Sequence, residues 1–172
     1  MNKFEKVSLA QYKKDILSVF ECLGRLGRSV NCLNIEQDYD ELQLPTRSTK
    51  YSAGYDFRSP IDLIVYPNHE YLIPTGIKCQ IDNNKVLLCY PRSSYGFKYG
   101  FNLSNTVGVI DSDYYNNPKN EGHIMVGFTV KKELHIKKGD KLFQAVFTRF
   151  YTVDYEETNL EERNGGIGST GA

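Results

Sequence analysis

The 172-residue chain has no tryptophan, two methionines and three histidines, and it carries no excess of either charge, with 21 basic and 21 acidic residues. A balanced chain lacks the global field with which proteins gather nucleic acid or anionic membranes. Direct nucleic-acid binding is therefore not expected, and any phosphate site must be built locally. No apolar run approaches the ~20 residues of a membrane span. The opening Met1-Asn2-Lys3 leads into a polar, amphipathic segment, so no secretory signal is expected. Four cysteines (Cys22, Cys32, Cys79 and Cys89) show no CxxC spacing, and the histidines do not cluster. Reduced structural thiols in a cytoplasmic protein fit this better than zinc or disulfides.

Tyrosine is abundant, at 13 residues, and glycine and proline punctuate short β-branched and aromatic runs. That pattern predicts an all-β body of one domain. Strands are expected at Leu42–Thr46 (interrupted by Pro45), Tyr55–Phe57, Ile61–Tyr66, Tyr71–Ile73, Gly76–Gln80 and Val86–Tyr90. Further strands are expected at Ile124–Val130, Leu142–Phe147 and Phe150–Val153. So many short strands imply a sandwich or barrel. One helix precedes them. Ser8 is its expected N-cap, Gln11 completes a capping box, and Val7 with Tyr12 forms a hydrophobic staple. Leu9, Tyr12, Ile16, Phe20 and Leu23 share one face, and Gly24 and Gly27 mark the end. From Glu156 the chain turns polar and ends in RNGGIGSTGA, too poor in apolar surface to fold alone. Residues 1–41 thus read as helix and linker, 42–155 as the β domain and 156–172 as a flexible Gly-rich arm.

The most informative stretch is Phe101 to Tyr115, FNLSNTVGVIDSDYY. It reads as a hairpin with a turn at Ser104-Asn105-Thr106 and a returning strand through Gly108, Val109 and Ile110. Gly108 suggests close approach of a ligand to the backbone. Asp111, at the exit of the strand, is either a general base or an acid that closes a turn. Elsewhere, Arg92, Ser93 and Ser94 offer a guanidinium and hydroxyls suited to phosphate oxygens. Ala53-Gly54-Tyr55-Asp56 places an acid after a glycine. Gln144 puts an amide inside an apolar strand, where it needs a partner.

Each signal is weak alone, but together and in this order they closely resemble the homotrimeric dUTPase family. AGYDF, PRSSYGFKYG, NTVGVIDSDYY, GDKLFQAVF and RNGGIGSTG match its five motifs, across about Leu44 to Ala172. The resemblance implies an all-β, dUTPase-like β-barrel or jelly roll, three copies of which share three active sites. It implies hydrolysis of dUTP to dUMP and pyrophosphate with Mg²⁺. Asp111 would activate the water, and Asn105 with the backbone of Gly108 and Val109 would hold the uracil. Tyr114 would pack under the sugar and exclude a 2′-hydroxyl. Arg92, Ser93, Ser94, Gln144, Arg163, Ser169 and Thr170 would contact phosphates, with Ile167 and Gly168 in the arm that closes over the site. Asp56 would support the Mg²⁺ hydration shell through water or orient the phosphate-binding arginine. Two departures stand out: Ile167 replaces the usual stacking aromatic, and residues 116–123 form a longer loop in which His123 reads as a loop residue. The alternatives are a dUTPase-like regulatory module that senses nucleotide and binds a protein, and a dCTP deaminase. The deaminase would need a glutamate where this chain reads HIMVGF.

Overall fold

The computed structural model describes residues 1–25 and 34–155, with backbone alone for 22–25. The expectations placed on the side chains of Cys22 and Leu23, on Gly27 and Cys32, and on Arg163, Ile167, Gly168, Ser169 and Thr170 lie outside the described residues. Strand β1 (Lys3–Lys6) opens the chain and is followed by helices α1 (Leu9–Arg25) and α2 (Ile35–Asp40). Next come β2 (Thr46–Arg47), β3 (Tyr55–Arg58), β4 (Leu63–Val65), β5 (Tyr71–Pro74) and β6 (Ile77–Gln80). The long strand β7 (Lys85–Pro91) runs into helix α3 (Ser93–Tyr99) and the short strands β8 (Asn102–Leu103) and β9 (Gly108–Ile110). A 3₁₀ turn at Ser112–Tyr114 precedes β10 (Met125–Thr129), β11 (Leu134–Ile136) and β12 (Lys141–Arg149).

All pairings are antiparallel. The largest sheet has the order β2-β3-β12-β7-β9, and β5-β10-β8, β11-β4 and β1-β6 complete a jelly-roll-like body. Alternation drives this: β10 turns Val126 and Phe128 inward while its other residues stay at the margin. The core is aromatic at its centre, where Phe57 stacks on Phe143 at 4.6 Å and Phe101 on Phe128 at 4.5 Å between ring centroids. In β12 a register shift between Lys141 and Phe143 breaks the alternation, so that Leu142 and Phe143 are both buried. This bulge sets the phase of Gln144, which directly precedes the inward Ala145.

Helix α1 starts as expected. The Ser8 hydroxyl accepts the Gln11 amide at 3.1 Å, and Val7 and Tyr12 are both buried beside Ile16 and Ile61. The capping box is completed differently, because Glu121 rather than Gln11 accepts the Ser8 N–H, at 2.9 Å. The helix packs on its own body through Val19, beside Phe4 of β1, against the main core. The polar stretch after the linker forms α2, capped by Asn34, whose side chain accepts the Gln37 amide.

Several local expectations are corrected. Leu42–Pro45 form no strand, and β2 begins only at Thr46. The strands flanking Ser104-Asn105-Thr106 do not pair with each other: β8 joins β10 and β9 joins β7, so the turn bridges two sheets. After β7, Arg92 leads into helix α3, which stops at Gly100, whose φ of 65° suits a residue without Cβ. Phe150–Val153 forms no strand: Arg149, the last residue of β12, pairs with Lys85, the first of β7, and the ladder ends there. Cys79 and Cys89 are buried free thiols, and burial pushes each up to about 12, which keeps them protonated and inert at neutral pH. Among the described residues no helix is long and apolar enough to cross a membrane.

Candidate active site

Antiparallel register gathers three distant segments. Asp56 on β3 lies opposite Gln144 on β12, and Gln144 lies opposite Tyr90 on β7, two residues before Arg92. Asp56 is 5% exposed. One of its oxygens is 3.0 Å from Arg92 Nε; the other is 2.9 Å from Lys141 Nζ and accepts the Ser48 hydroxyl at 2.5 Å. Burial would raise its pKa, but the bonds from Ser48 and Lys141 and the charge of Arg92 outweigh that and hold the carboxyl below the usual range. Arg92 is thereby pinned as it leaves β7, with Ser93 and Ser94 exposed beside it at the start of α3. Sequence reasoning missed Lys141 and Ser48. A lysine at the head of an apolar strand reads as a solvated end, and only the bulge after it shows where it sits.

The Gln144 amide finds a protein partner: its Nε2 donates to the Pro91 carbonyl at 3.2 Å. Its Oε1 lies over Gly54, only 2.5 Å from where a Cβ on that residue would stand. The glycine of the AGYD segment is thus the space that Gln144 occupies. Gly54→Ala is expected to displace the end of this flexible side chain, leave melting within a few degrees of wild type, and lower kcat/KM about tenfold. Steady-state kinetics with a thermal melt on the same preparation checks this.

The second group lines a cleft of about 690 Å³ whose walls include Cys89, Asn105, Gly108, Tyr114, Met125 and Phe143. The turn that shapes its mouth is tight, with Thr106 N–H bonded to Leu103 O at 3.0 Å and Val107 N–H to Asn105 O at 2.6 Å. Among the described residues strand β9 is the outer strand of its sheet, pairing with β7 on one side only. Its other side therefore offers backbone donors and acceptors to a ligand. Gly108 faces Cys89 across the ladder, and a Cβ there would stand 3.0 Å from that of Cys89. Val109 is exposed, and the half-buried Asp111 follows as the cap of the 3₁₀ turn, its carbonyl accepting the Tyr114 amide at 3.2 Å. Tyr114 is buried, and its hydroxyl donates to the His123 carbonyl at 2.8 Å.

The expected residues thus fall into two groups, with Asp56, Arg92 and Gln144 in one and Asn105, Gly108 and Tyr114 in the other. Strand β7 links them, pairing with Gly108 at Cys89 and carrying Arg92 at its end. His123 is indeed in the loop but is fully buried and bonded on both ring nitrogens, which makes it a structural post. Among the described residues no three His, Cys, Asp or Glu side chains gather closely enough to cage a metal.

Known proteins resemble this chain. The dUTPase family model matches residues 40–171. The deoxyuridine 5′-triphosphate nucleotidohydrolase of Lactococcus lactis is 47% identical over 135 residues, covering 76% of this chain and 89% of that one. That of fowlpox virus is 37% identical over 139 residues, covering 77% and 92%. Among solved structures, the dUTPase of Streptococcus mutans superposes with a TM-score of 0.62 at 39% identity, covering 67% of this chain and 91% of that one. On the family match, the identity to these relatives and the shared fold, the chain belongs to the dUTPase family.

Proposed function

We propose that the protein is a dUTP diphosphatase that converts dUTP and water to dUMP and pyrophosphate, and that it acts as a homotrimer with shared sites in the cytoplasm. The observation that carries this reading is the convergence of Asp56, Arg92 and Gln144 at one end of β7, with the base-sized cleft along β9 beside it. Residues 42–155 form the catalytic body, and Arg163, Ile167, Gly168, Ser169 and Thr170 add contacts to the substrate.

The uracil lies against the open side of β9, where backbone N–H and C=O of Gly108 and Val109, with Asn105, read its edge. Cytosine presents the reversed donor and acceptor pattern. The ring of Tyr114 underlies the sugar. Asp111 takes the proton of a water aligned with the α-phosphorus. Charge developing on the departing pyrophosphate falls to Arg92 and Lys141, with Gln144, Ser93 and Ser94 as hydrogen-bond partners.

Mg²⁺ fits this site only as a companion of the triphosphate. The two Asp56 oxygens offer about four acceptor positions, and Arg92, Lys141 and Ser48 take three. One remains, enough for a water of a hydrated ion and too few for direct ligation. A hydrated Mg²⁺ on the phosphates supplies charge neutralisation there.

Pyrophosphate release from dUTP, dCTP, dTTP and UTP with Mg²⁺ tests the assignment. Hydrogen-bond reading of the base should reject dCTP by about 10⁴-fold, whereas packing against Tyr114 should reject UTP by only about 10²-fold. Failure to hydrolyse dUTP while still binding it would overturn the enzyme in favour of a nucleotide-sensing module.

A further inference from the structure

Three residues ahead of the family match, Glu5, Ser8 and Asp15, reach one loop. Glu5 on β1 accepts a hydrogen bond from the Tyr115 hydroxyl. At the start of α1, the Ser8 amide and hydroxyl donate to the two oxygens of Glu121, at 2.9 and 2.5 Å. Two turns into the helix, Asp15 Oδ2 lies 2.6 Å from His123 Nδ1 and accepts the Gln11 amide at 2.7 Å. His123 Nε2 accepts the Gly76 N–H at 2.7 Å. A ring nitrogen that accepts carries no proton, so the proton is on Nδ1 and is donated to Asp15. With both nitrogens committed and the ring fully buried, His123 cannot turn without losing two bonds.

The same loop grips Tyr114. Its hydroxyl donates to the His123 carbonyl and accepts the Asn120 amide, each at 2.8 Å. Asn117 donates to the Tyr114 carbonyl at 2.9 Å. The loop closes on itself at Gly122, where φ is 77° and a Cβ would stand 2.5 Å from the Tyr114 oxygen. A continuous hydrogen-bonded path therefore runs from helix α1, through one histidine, to the tyrosine in the wall of the nucleotide cleft.

We infer that Asp15 is a positioning residue for Tyr114: through His123 it fixes how deeply the tyrosine ring sits in the cleft, and so sets discrimination against a ribose 2′-hydroxyl. This rests on the proposed role of Tyr114 beneath the sugar. Substrate and competitor differ there by one oxygen, so a displacement of the ring by a fraction of an ångström changes their ratio. A helix that merely buttressed the fold would change stability and leave that ratio alone.

The experiment compares kcat/KM for dUTP and UTP in the full-length protein and in Asp15→Ala, Asp15→Asn, Tyr114→Phe, Tyr114→Ala and the double variant Asp15→Ala/Tyr114→Phe, with a melt of each. Asp15→Ala is expected to lower the dUTP-to-UTP ratio about tenfold, the equivalent of one charge-assisted hydrogen bond. Asp15→Asn keeps a weaker acceptor for His123 and should fall about threefold. The double variant should be no less selective than Tyr114→Phe, since the path is already cut at the hydroxyl. An unchanged ratio in both Asp15 variants, with Tyr114→Ala collapsing it, overturns the inference and leaves the role of Tyr114 intact. A ratio unchanged in Tyr114→Ala overturns that role and the inference with it. If Asp15→Ala does not fold, the ratio in Asp15→Asn decides alone.

Discussion

Asp111→Asn is expected to lower kcat by about 10²- to 10⁴-fold while KM for dUTP stays within a few-fold of wild type. The amide has the shape of the carboxylate but cannot accept a proton from water. The fold should tolerate it, because Asp111 closes the 3₁₀ turn through its backbone carbonyl, which the substitution leaves in place. A melt within ~0.5 kcal/mol of wild type would show this. Loss confined to kcat is the signature of a group that acts only in the transition state. Single-turnover release of pyrophosphate separates it from slow product release. A variant that retains kcat within tenfold would place the base elsewhere, and equal losses in binding and turnover would make Asp111 a shaping residue of the turn.

The residues that sequence reasoning placed well are those whose chemistry depends on near neighbours. Helix α1 is legible because Ser8, Val7 and Tyr12 form a cap and staple within six residues. Most of the strands are legible from their alternation, though Leu42–Pro45 and Phe150–Val153 are not strands. What escaped has non-local causes. Strand β1 is four residues with two lysines and a glutamate, and it is a strand only because the edge of β6 pairs with it. Helix α3 contains an aromatic- and glycine-bearing stretch with no strong helical preference, and it is closed by Gly100. The turn at Asn105 looked like a hairpin because local sequence cannot show that its two arms join different sheets. Lys141 escaped because a bulge re-phases β12, and His123 because its partner, Asp15, lies 108 positions away. The candidate site was readable as an ordered set of residue types. Its internal wiring was not.

Asp56→Asn should have the second large effect, and it reaches both stability and catalysis. The substitution removes the one negative charge between Arg92 and Lys141 and points an amide donor at groups that themselves donate. Cutting a fully buried pair costs ~3–5 kcal/mol. Here the two cations keep 27% and 29% of their side-chain surface exposed, so solvent screens them and a smaller loss of about 1–2 kcal/mol is expected. The catalytic loss should be greater, about 10²- to 10³-fold in kcat/KM, because an unpinned Arg92 no longer meets the phosphates where charge develops. Acid carries the same information. The folded pKa of Asp56 is depressed, so its stabilisation is fully present above the unfolded carboxylate value of about 3.9 and is lost as pH falls through the folded value. Melts from pH 7 down to about 2 should therefore show wild type and variant converging at the acid end, once protonation has done to Asp56 what the substitution does at neutral pH. Parallel curves would mean that the carboxylate contributes nothing through its charge. A variant with a lower melting temperature but unchanged kinetics would remove the Asp56, Arg92 and Lys141 cluster from the site and leave the phosphates to Gln144, the serines and the arm.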